Sequence, residues 1–370
     1  MQQVDNADVG SAFQGIWRKG MSEIKVCPIC GVPRKFSRGN NWNSDGTITQ
    51  HKNEEHRVCF YETDGLTQLF GNIEELVGLP IDRILIEGKR KASYQYIKNM
   101  FPGFKRNIVR ALRRRVYETI ADMGTIFGLG HYELLDFKKE EYIKVFGRNI
   151  YCLPLFCGDL IAAFNFVEGL PADLSIDEKD GGHVVTVTSG REFDEEMSTR
   201  LERIIVPNKP GDYRLEGCPG CGIPGVFEEY TWDLEQGVVT DTVTGRHMAF
   251  VGPDELESIL RELEAELGED IPNTIVEAQR KYIIETLASK EFEQSPDYLR
   301  RQLAMRGMGN LVVFDLGGDR LEAVVENARP NLLIVGILQG VYELVSRNTS
   351  AYEFDRDDDG TLHLTAYKAP

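Results

Sequence analysis

The chain has 370 residues, a length that fits roughly two domains, and 42% of them are hydrophobic and 27% charged. A formal net charge of -17 at pH 7 argues against a protein whose overall surface binds nucleic acid or anionic membranes. Seven cysteines, an odd number, argue against a secreted disulfide framework.

The start of the chain, MQQVDNADVGSAFQ, is polar and lacks the basic and then apolar pattern of a signal peptide. The most apolar windows, residues 149–167 and 331–345, are interrupted by Asp159 and by Gln339 and Glu343. Both windows are too short or too polar to span a bilayer. We therefore predict a cytoplasmic protein without a membrane segment.

Two cysteine-rich segments about 190 residues apart resemble each other: residues 27–33 read CPICGVP and residues 218–224 read CPGCGIP. The small residues of a Cys-Pro-x-Cys-Gly segment let the backbone turn tightly, so that both thiolates and several amides face one cation. Each half of the chain thus begins with a metal-type knuckle. Two knuckles supply a tetrahedral set of four thiolates, Cys27, Cys30, Cys218 and Cys221.

The similarity between the halves continues beyond the cysteines, which indicates an internal duplication. The offset between matching residues is near 190 at first and falls to about 179 and 178 further on, as one loop deletion would produce. The matches are Trp42 with Trp232, Phe60 with Phe250, Glu87 with Glu277, Arg90-Lys91 with Arg280-Lys281, Gly128-Leu129-Gly130 with Gly307-Met308-Gly309, and Gly158-Asp159-Leu160 with Gly336-Ile337-Leu338.

Each half shows the same series of predicted elements. Two short strands follow the knuckle, then an amphipathic helix (Leu66 to Leu76, or Leu256 to Leu267), further helices, and a Gly-x-Gly element. Strands, an apolar helix and a final hairpin complete each half. We predict an α+β fold of two similar domains related by a pseudo-two-fold axis: an N-terminal segment 1–22, repeat 1 at 23–188, a linker at 189–213, and repeat 2 at 214–370.

Between Lys89 and Arg115 there are ten Lys or Arg residues and no acidic residue. We expect this basic surface to lie beside acidic surface of the other half, such as residues 255–270. The alternative is contact with an anion or a nucleic acid, which would make the protein a nucleic-acid-associated regulator.

Ligand counting distinguishes three interpretations of the knuckles. The second half has no cysteine besides its knuckle pair, so it cannot readily close a four-ligand site alone. We favour one site of four thiolates shared by the halves, which would be structural and would hold zinc, with iron as the alternative. The first half could instead use Cys59 with His51 or His56, or the thiols could be free of metal.

The C-terminal part of each half resembles the 4-vinyl reductase domain family. The motifs are GLGHYELLDF, NIYCLPLFCGDLIAAFNFVEG and DEKDGGHVVTVT, with GMGNLVVFDL, NLLIVGILQGVYELV and DRDDDGTLHLTA as the second copy. The resemblance implies an α+β domain that binds a small molecule and pairs with another copy, and it does not by itself imply reductase chemistry. Cysteines that the family often carries near the final hairpin are absent here.

These observations predict a non-catalytic small-molecule-binding or accessory protein, with a small apolar or aromatic ligand and a protein partner in a larger complex. The alternative is an enzyme or enzyme subunit acting on a tetrapyrrole or aromatic substrate. No catalytic residue stands out, and we expect neither nucleic acid nor membrane as a partner. The expected pocket residues lie on the two apolar helices, and they are Leu155, Phe156, Phe164, Leu333, Leu338 and Tyr342.

Overall fold

The computed structural model describes residues 24–100, 106–190, 207–287, 295–317 and 319–370. The predicted N-terminal segment and most of the predicted linker therefore lie outside the described residues. The fold is α+β, as predicted. No helix among the described residues has the length and apolar character needed to cross a membrane.

In the first half the helices and strands follow the predicted series. The first of the two short strands predicted after the knuckle is instead a hairpin of two strands, with its turn between Trp42 and Ile48. The elements are α1 (Arg34–Ser37), β1 (Asn40–Trp42), β2 (Ile48–Gln50), β3 (Asn53–Glu62), α2 (Thr63–Val77), α3 (Asp82–Met100), α4 (Arg106–Ala111), α5 (Arg113–Ile126), β4 (His131–Lys138), β5 (Tyr142–Arg148), α6 (Leu153–Glu168), β6 (Ala172–Lys179) and β7 (Gly182–Ser189).

The second half follows this order with two differences among the described residues: a short 3-10 helix at Gly225–Glu229 takes the place of α1, and one helix before β11 takes the place of α4 and α5. The elements are β8 (Tyr230–Asp233), β9 (Val238–Asp241), β10 (His247–Val251), α7 (Pro253–Leu267), α8 (Ile271–Leu287), α9 (Pro296–Met305), β11 (Asn310–Gly317), β12 (Arg320–Glu326), α10 (Asn331–Ser346), β13 (Ser350–Arg356) and β14 (Leu362–Lys368).

A six-stranded sheet joins the two halves in the strand order β1-β2-β3-β10-β9-β8. Strands β3 and β10 pair antiparallel at its centre, and Phe60 lies directly opposite Phe250. The sequence register matches these two residues with each other as equivalent positions of the two halves. A pair of matched residues that face each other lies where a two-fold axis between the halves would pass.

The remaining strands form two four-stranded antiparallel sheets of identical order, β4-β5-β7-β6 and β11-β12-β14-β13. The final hairpin predicted for each half is present as β6 with β7 and as β13 with β14. The apolar helices α6 and α10, which precede these hairpins, are each buried along most of their length. Helix α6 packs on α3, and α10 packs on α8.

Each hairpin that follows a knuckle packs against the other half of the chain. The contacts are reciprocal, because residues matched by the sequence register make the same hydrogen bonds in opposite directions. The duplication itself remains a prediction about the origin of the chain. The reciprocal hydrogen bonds run from Trp42 Nε1 to the Met305 carbonyl (3.0 Å) and from Trp232 Nε1 to the Ile126 carbonyl (3.1 Å), and from the Phe60 amide to the Arg306 carbonyl (2.9 Å) and from the Phe250 amide to the Phe127 carbonyl (2.8 Å).

An aromatic core lies beneath the knuckles and contains residues of both halves. Phe60 and Phe250 stack at its centre with ring centroids 4.2 Å apart. Phe36 packs against Phe250 at 4.4 Å, and Phe227 packs against Phe60 at 5.5 Å. Aromatic rings bury large apolar areas. The burial of this core therefore stabilises the association of the halves in addition to the backbone hydrogen bonds of the shared sheet.

The predicted basic surface pairs with carboxylates. Lys89 Nζ lies 2.5 Å from Glu255 Oε2, and Lys91 Nζ lies 3.9 Å from Glu262 Oε1, both on α7 of the other half. Within the first half, Arg113 Nε lies 3.1 Å from a carboxylate oxygen of α6. These three basic side chains therefore have carboxylates of the protein itself as counter-charges.

Candidate metal centre

The two knuckles have the same backbone structure. In the first, the Cys27 amide donates to the Val32 carbonyl at 2.8 Å; in the second, the Cys218 amide donates to the Ile223 carbonyl at 2.6 Å. The glycine after the second cysteine, Gly31 or Gly222, takes a positive φ of 71° or 84°. That left-handed turn is one that glycine adopts without steric cost, which explains the Cys-Gly pair in each motif.

The four knuckle sulfur atoms meet between the halves. The Sγ atoms of Cys27 and Cys218 are 3.9 Å apart, and those of Cys30 and Cys221 are 3.4 Å apart. All four sulfur atoms lie within 4.8 Å of one another. In a tetrahedral site with metal–sulfur bonds of about 2.3 Å, neighbouring sulfur atoms are about 3.8 Å apart. The four cysteines therefore fit one tetrahedral ion, as ligand counting predicted.

The protein environment lowers the pKa of one of these thiols and raises the pKa of two others. Backbone amides of Cys30 and Ile29 donate to the Cys27 sulfur and lower the pKa of that thiol to about 6. Burial raises the pKa of the Cys30 and Cys221 thiols. A metal binds thiolates, so binding releases the protons that the remaining thiols hold. The knuckle amides thus favour the thiolate form of Cys27, which is the form that binds a metal cation.

The alternative first-half site is not formed among the described residues. Cys59 is fully buried on β3, where it lies opposite Val251, and it is not in the ligand group. Neither His51 nor His56 belongs to that group. Of the four clustered cysteines, Cys221 is the one that is partly exposed.

Close packing around the sulfur atoms suggests a test that leaves all four ligands in place. A Cβ added at Gly220 would lie 2.8 Å from the Cys27 sulfur and 3.2 Å from Ile29 Cδ1. Because the sulfur must move, we expect Gly220→Ala to weaken the metal affinity about tenfold in competition with a chromogenic chelator, the size of effect that mutations beside a metal site typically produce. Ile29→Ala is the matched control, since Ile29 is half exposed. Equal metal affinities of wild type and Gly220→Ala would contradict the shared site.

A charged cluster missed by the sequence analysis ties the halves together near the aromatic core. Glu62, only 6% exposed, ends β3 of the first half, and its partners belong to the second half. Arg246 and Arg306 lie 2.8 Å and 3.2 Å from its carboxylate oxygens, and Tyr282 donates a hydrogen bond to it. Burial alone would raise the pKa of Glu62, but the two arginines hold it below its ordinary value.

A cavity of about 120 Å³ lies in the first half, bounded also by residues of β10 and α7 from the second. Its walls are mostly apolar or aromatic, and Tyr132 and Phe156 stack there with ring centroids 4.5 Å apart. One end is polar, with Lys89, Asp159 and Glu255. Asp159 was visible in the sequence as a charged interruption of an apolar segment, which is the signal that could have located this end.

The predicted pocket residues are all buried on α6 and α10. Phe156 lines the cavity just described. The other five, Leu155, Phe164, Leu333, Leu338 and Tyr342, belong to the main hydrophobic core, and their role in ligand binding remains a prediction.

Comparisons with known proteins add little to this picture. No family model matches the chain, and no curated protein matches it. The resemblance to the 4-vinyl reductase family therefore remains a prediction. A solved structure titled "Cs H-NOX mutant with unnatural amino acid 4-cyano-L-phenylalanine at site 5" is similar over 32% of this chain and 75% of its own, with 16% identity and a TM-score of 0.24. Similarity at this level carries no conclusion about the chain.

Proposed function

We propose that this protein is a non-catalytic small-molecule-binding or accessory protein in which a structural zinc ion clamps two ligand-binding halves. The observation that carries the proposal is the meeting of Cys27 and Cys30 from one half with Cys218 and Cys221 from the other. Four thiolates leave no open coordination position, so the ion would fix structure and would not activate water or substrate.

Zinc and iron both accept four thiolates, and they are easily distinguished. We expect protein purified without oxygen to contain about one zinc per chain by elemental analysis and to show no visible absorption, because zinc has a filled d shell. One iron per chain, with visible absorption, would contradict zinc and retain the clamp. The absence of any metal in freshly purified protein would contradict the clamp.

The small-molecule part of the proposal is supported by the cavity with its apolar walls and polar end. Ligand sites typically combine apolar walls with a few polar groups that fix orientation. Because the cavity is bounded by both halves, a ligand bound there would change how the halves pack. Such coupling suits an accessory subunit whose state is sensed by a protein partner in a larger complex.

One observation favours the second candidate, an enzyme acting on an aromatic substrate. Burial raises the pKa of Asp159, although Lys89 opposes this, and acids with raised pKa values in cavities are frequent in active sites. A volume of about 120 Å³ is below the ~300–1,000 Å³ of drug-sized pockets, so a single aromatic ring suits this space better than a tetrapyrrole. Recovery of a bound ligand unchanged after incubation would contradict turnover.

A further inference from the structure

The polar end of the cavity carries more negative than positive charge. Lys89 Nζ lies 2.5 Å from Glu255 Oε2 and 3.5 Å from Asp159 Oδ1. One lysine therefore faces two carboxylates, and all three side chains are less than a quarter exposed. A buried charge without full compensation is unfavourable unless a counter-charge or hydrogen-bond donor reaches it.

Most acceptor positions of Asp159 are used, whereas Glu255 has one to spare. Ser93 Oγ donates to Asp159 Oδ1 at 2.5 Å, and Tyr151 OH donates to Asp159 Oδ2 at 2.9 Å. For Glu255, the described residues provide a hydrogen bond to Oε2 only. The arrangement holds the carboxylates in place and leaves an oxygen for a further donor.

The charged cluster is not needed to build this type of fold. The sequence register pairs Lys89 and Asp159 of the first half with Gln279 and Ile337 of the second, and Glu255 of the second half with Gly65 of the first. There Tyr61 OH donates to Gln279 Oε1 at 2.5 Å, and the Tyr282 ring lies 3.0 Å from where a Cβ on Gly65 would be. The equivalent place thus contains the uncharged side chains of Tyr61, Gln279 and Tyr282, the last of which donates a hydrogen bond to Glu62. Buried ion clusters contribute little net stability compared with such packing, which points to a binding role in the first half.

The rest of the cavity suits a cation that carries an apolar body. Six aromatic residues line it, and the faces of aromatic rings attract cations. An engineered cavity of about 150 Å³ holds benzene, so a volume of about 120 Å³ accommodates a ligand of roughly one ring. The six aromatic lining residues are Tyr96, Tyr117, Phe127, Tyr132, Phe156 and Phe250.

We propose that this cavity binds a small apolar amine of about one ring, whose protonated nitrogen lies against Asp159 and Glu255. The inference rests on the small-molecule part of the proposed function and gives it a ligand class. The carboxylates and aromatic faces would select the cation, and the same carboxylates would repel an acid of equal size.

The test compares three probes that differ only in their polar group: 2-phenylethylamine, 2-phenylethanol and phenylacetate. Binding to the full chain is measured by isothermal titration calorimetry. A hydrogen bond between charged groups contributes more free energy than one between neutral groups. The amine should therefore bind about tenfold more tightly than the alcohol, and the acid should bind most weakly. Ala121→Leu, which places extra side-chain volume at the cavity wall, should weaken binding of all three probes.

Asp159→Asn keeps acceptor and amide groups beside Ser93 and Tyr151 but removes the charge, so it should abolish the preference for the amine and leave binding of the alcohol unchanged. Glu277→Gln is the matched control, because it removes a carboxylate from helix α8, where Glu277 pairs with Arg280. Equal or tighter binding of the alcohol or the acid to wild type would overturn the ligand class and leave the proposed function standing. Failure of all three probes to bind would overturn the inference together with the small-molecule part of the function, while the zinc content would still test the clamp.

Discussion

Replacement of Cys221 by serine is expected to reduce the metal content from about one ion per chain to near zero, although Cys27 and Cys30 remain. The reason is that the second half supplies two of the four clustered sulfur atoms. Structural zinc sites contribute about 10–16 kcal/mol to folding in small zinc domains, as much as the ~5–15 kcal/mol by which whole proteins are stable. We therefore expect the thermal unfolding midpoint to fall by about 10 °C or more.

Three variants distinguish the shared site from its alternatives. Cys30→Ser in the first half should lose the metal as completely as Cys221→Ser in the second. Cys59→Ala should keep the metal, since Cys59 lies outside the sulfur cluster. A full complement of zinc in Cys221→Ser, together with its loss in Cys59→Ala, would place the ion in the first half alone. Elemental analysis and calorimetric unfolding of the same preparations give both readouts.

Glu62→Gln is expected to destabilise the protein by about 3 to 5 kcal/mol in urea unfolding at pH 7, because it leaves Arg246 and Arg306 without their counter-charge. Arg246 also donates to the Thr286 carbonyl at 2.9 Å, but Glu62 is the carboxylate that both arginines contact. A matched control is Glu141→Gln, which breaks an exposed ion pair with Lys138 and should change stability by less than about 1 kcal/mol. Similar effects of the two substitutions would show that the buried cluster contributes no more than a surface pair.

The effect of Glu62→Gln should also depend on pH. The folded protein lowers the pKa of Glu62 below the unfolded value of about 4.3, so its contribution is complete above that pH and declines as the pH falls through the folded pKa. Glutamine does not titrate. The stability difference between wild type and variant should therefore shrink below about pH 4. A difference that stays constant between pH 7 and pH 3 would contradict this role of Glu62.

The sequence predicted the cluster of four cysteines better than the contacts around it. The Cys-Pro-x-Cys-Gly spacing sets each pair of thiolates, and the lack of further cysteines in the second half left a shared site as the consistent solution. The amphipathic helices and final hairpins were also predictable, because local periodicity and turn glycines determine them. These features depend on residues that are close in the chain.

The remaining features depend on residues far apart in the chain. The register matched Phe60 with Phe250 as equivalent positions, but equivalence does not reveal that the two residues face each other across a sheet. No spacing rule connects Glu62 with Arg246 or Arg306, which lie 184 and 244 residues away. The cavity gave one local signal, Asp159 in an apolar helix, and the second carboxylate at its polar end, Glu255, comes from the other half.

The pairing of β3 with β10 has a consequence for synthesis of the protein on the ribosome. Phe60 cannot meet Phe250 until about 190 further residues have been translated, which takes about 10 to 40 s at ~5–20 residues per second. During that interval the nascent first half exposes a central strand edge and half of the aromatic core, both of which favour aggregation. Residues 27–60 thus enter the cell well before their partners, and chaperones that shield exposed strands would act on the nascent chain in this window.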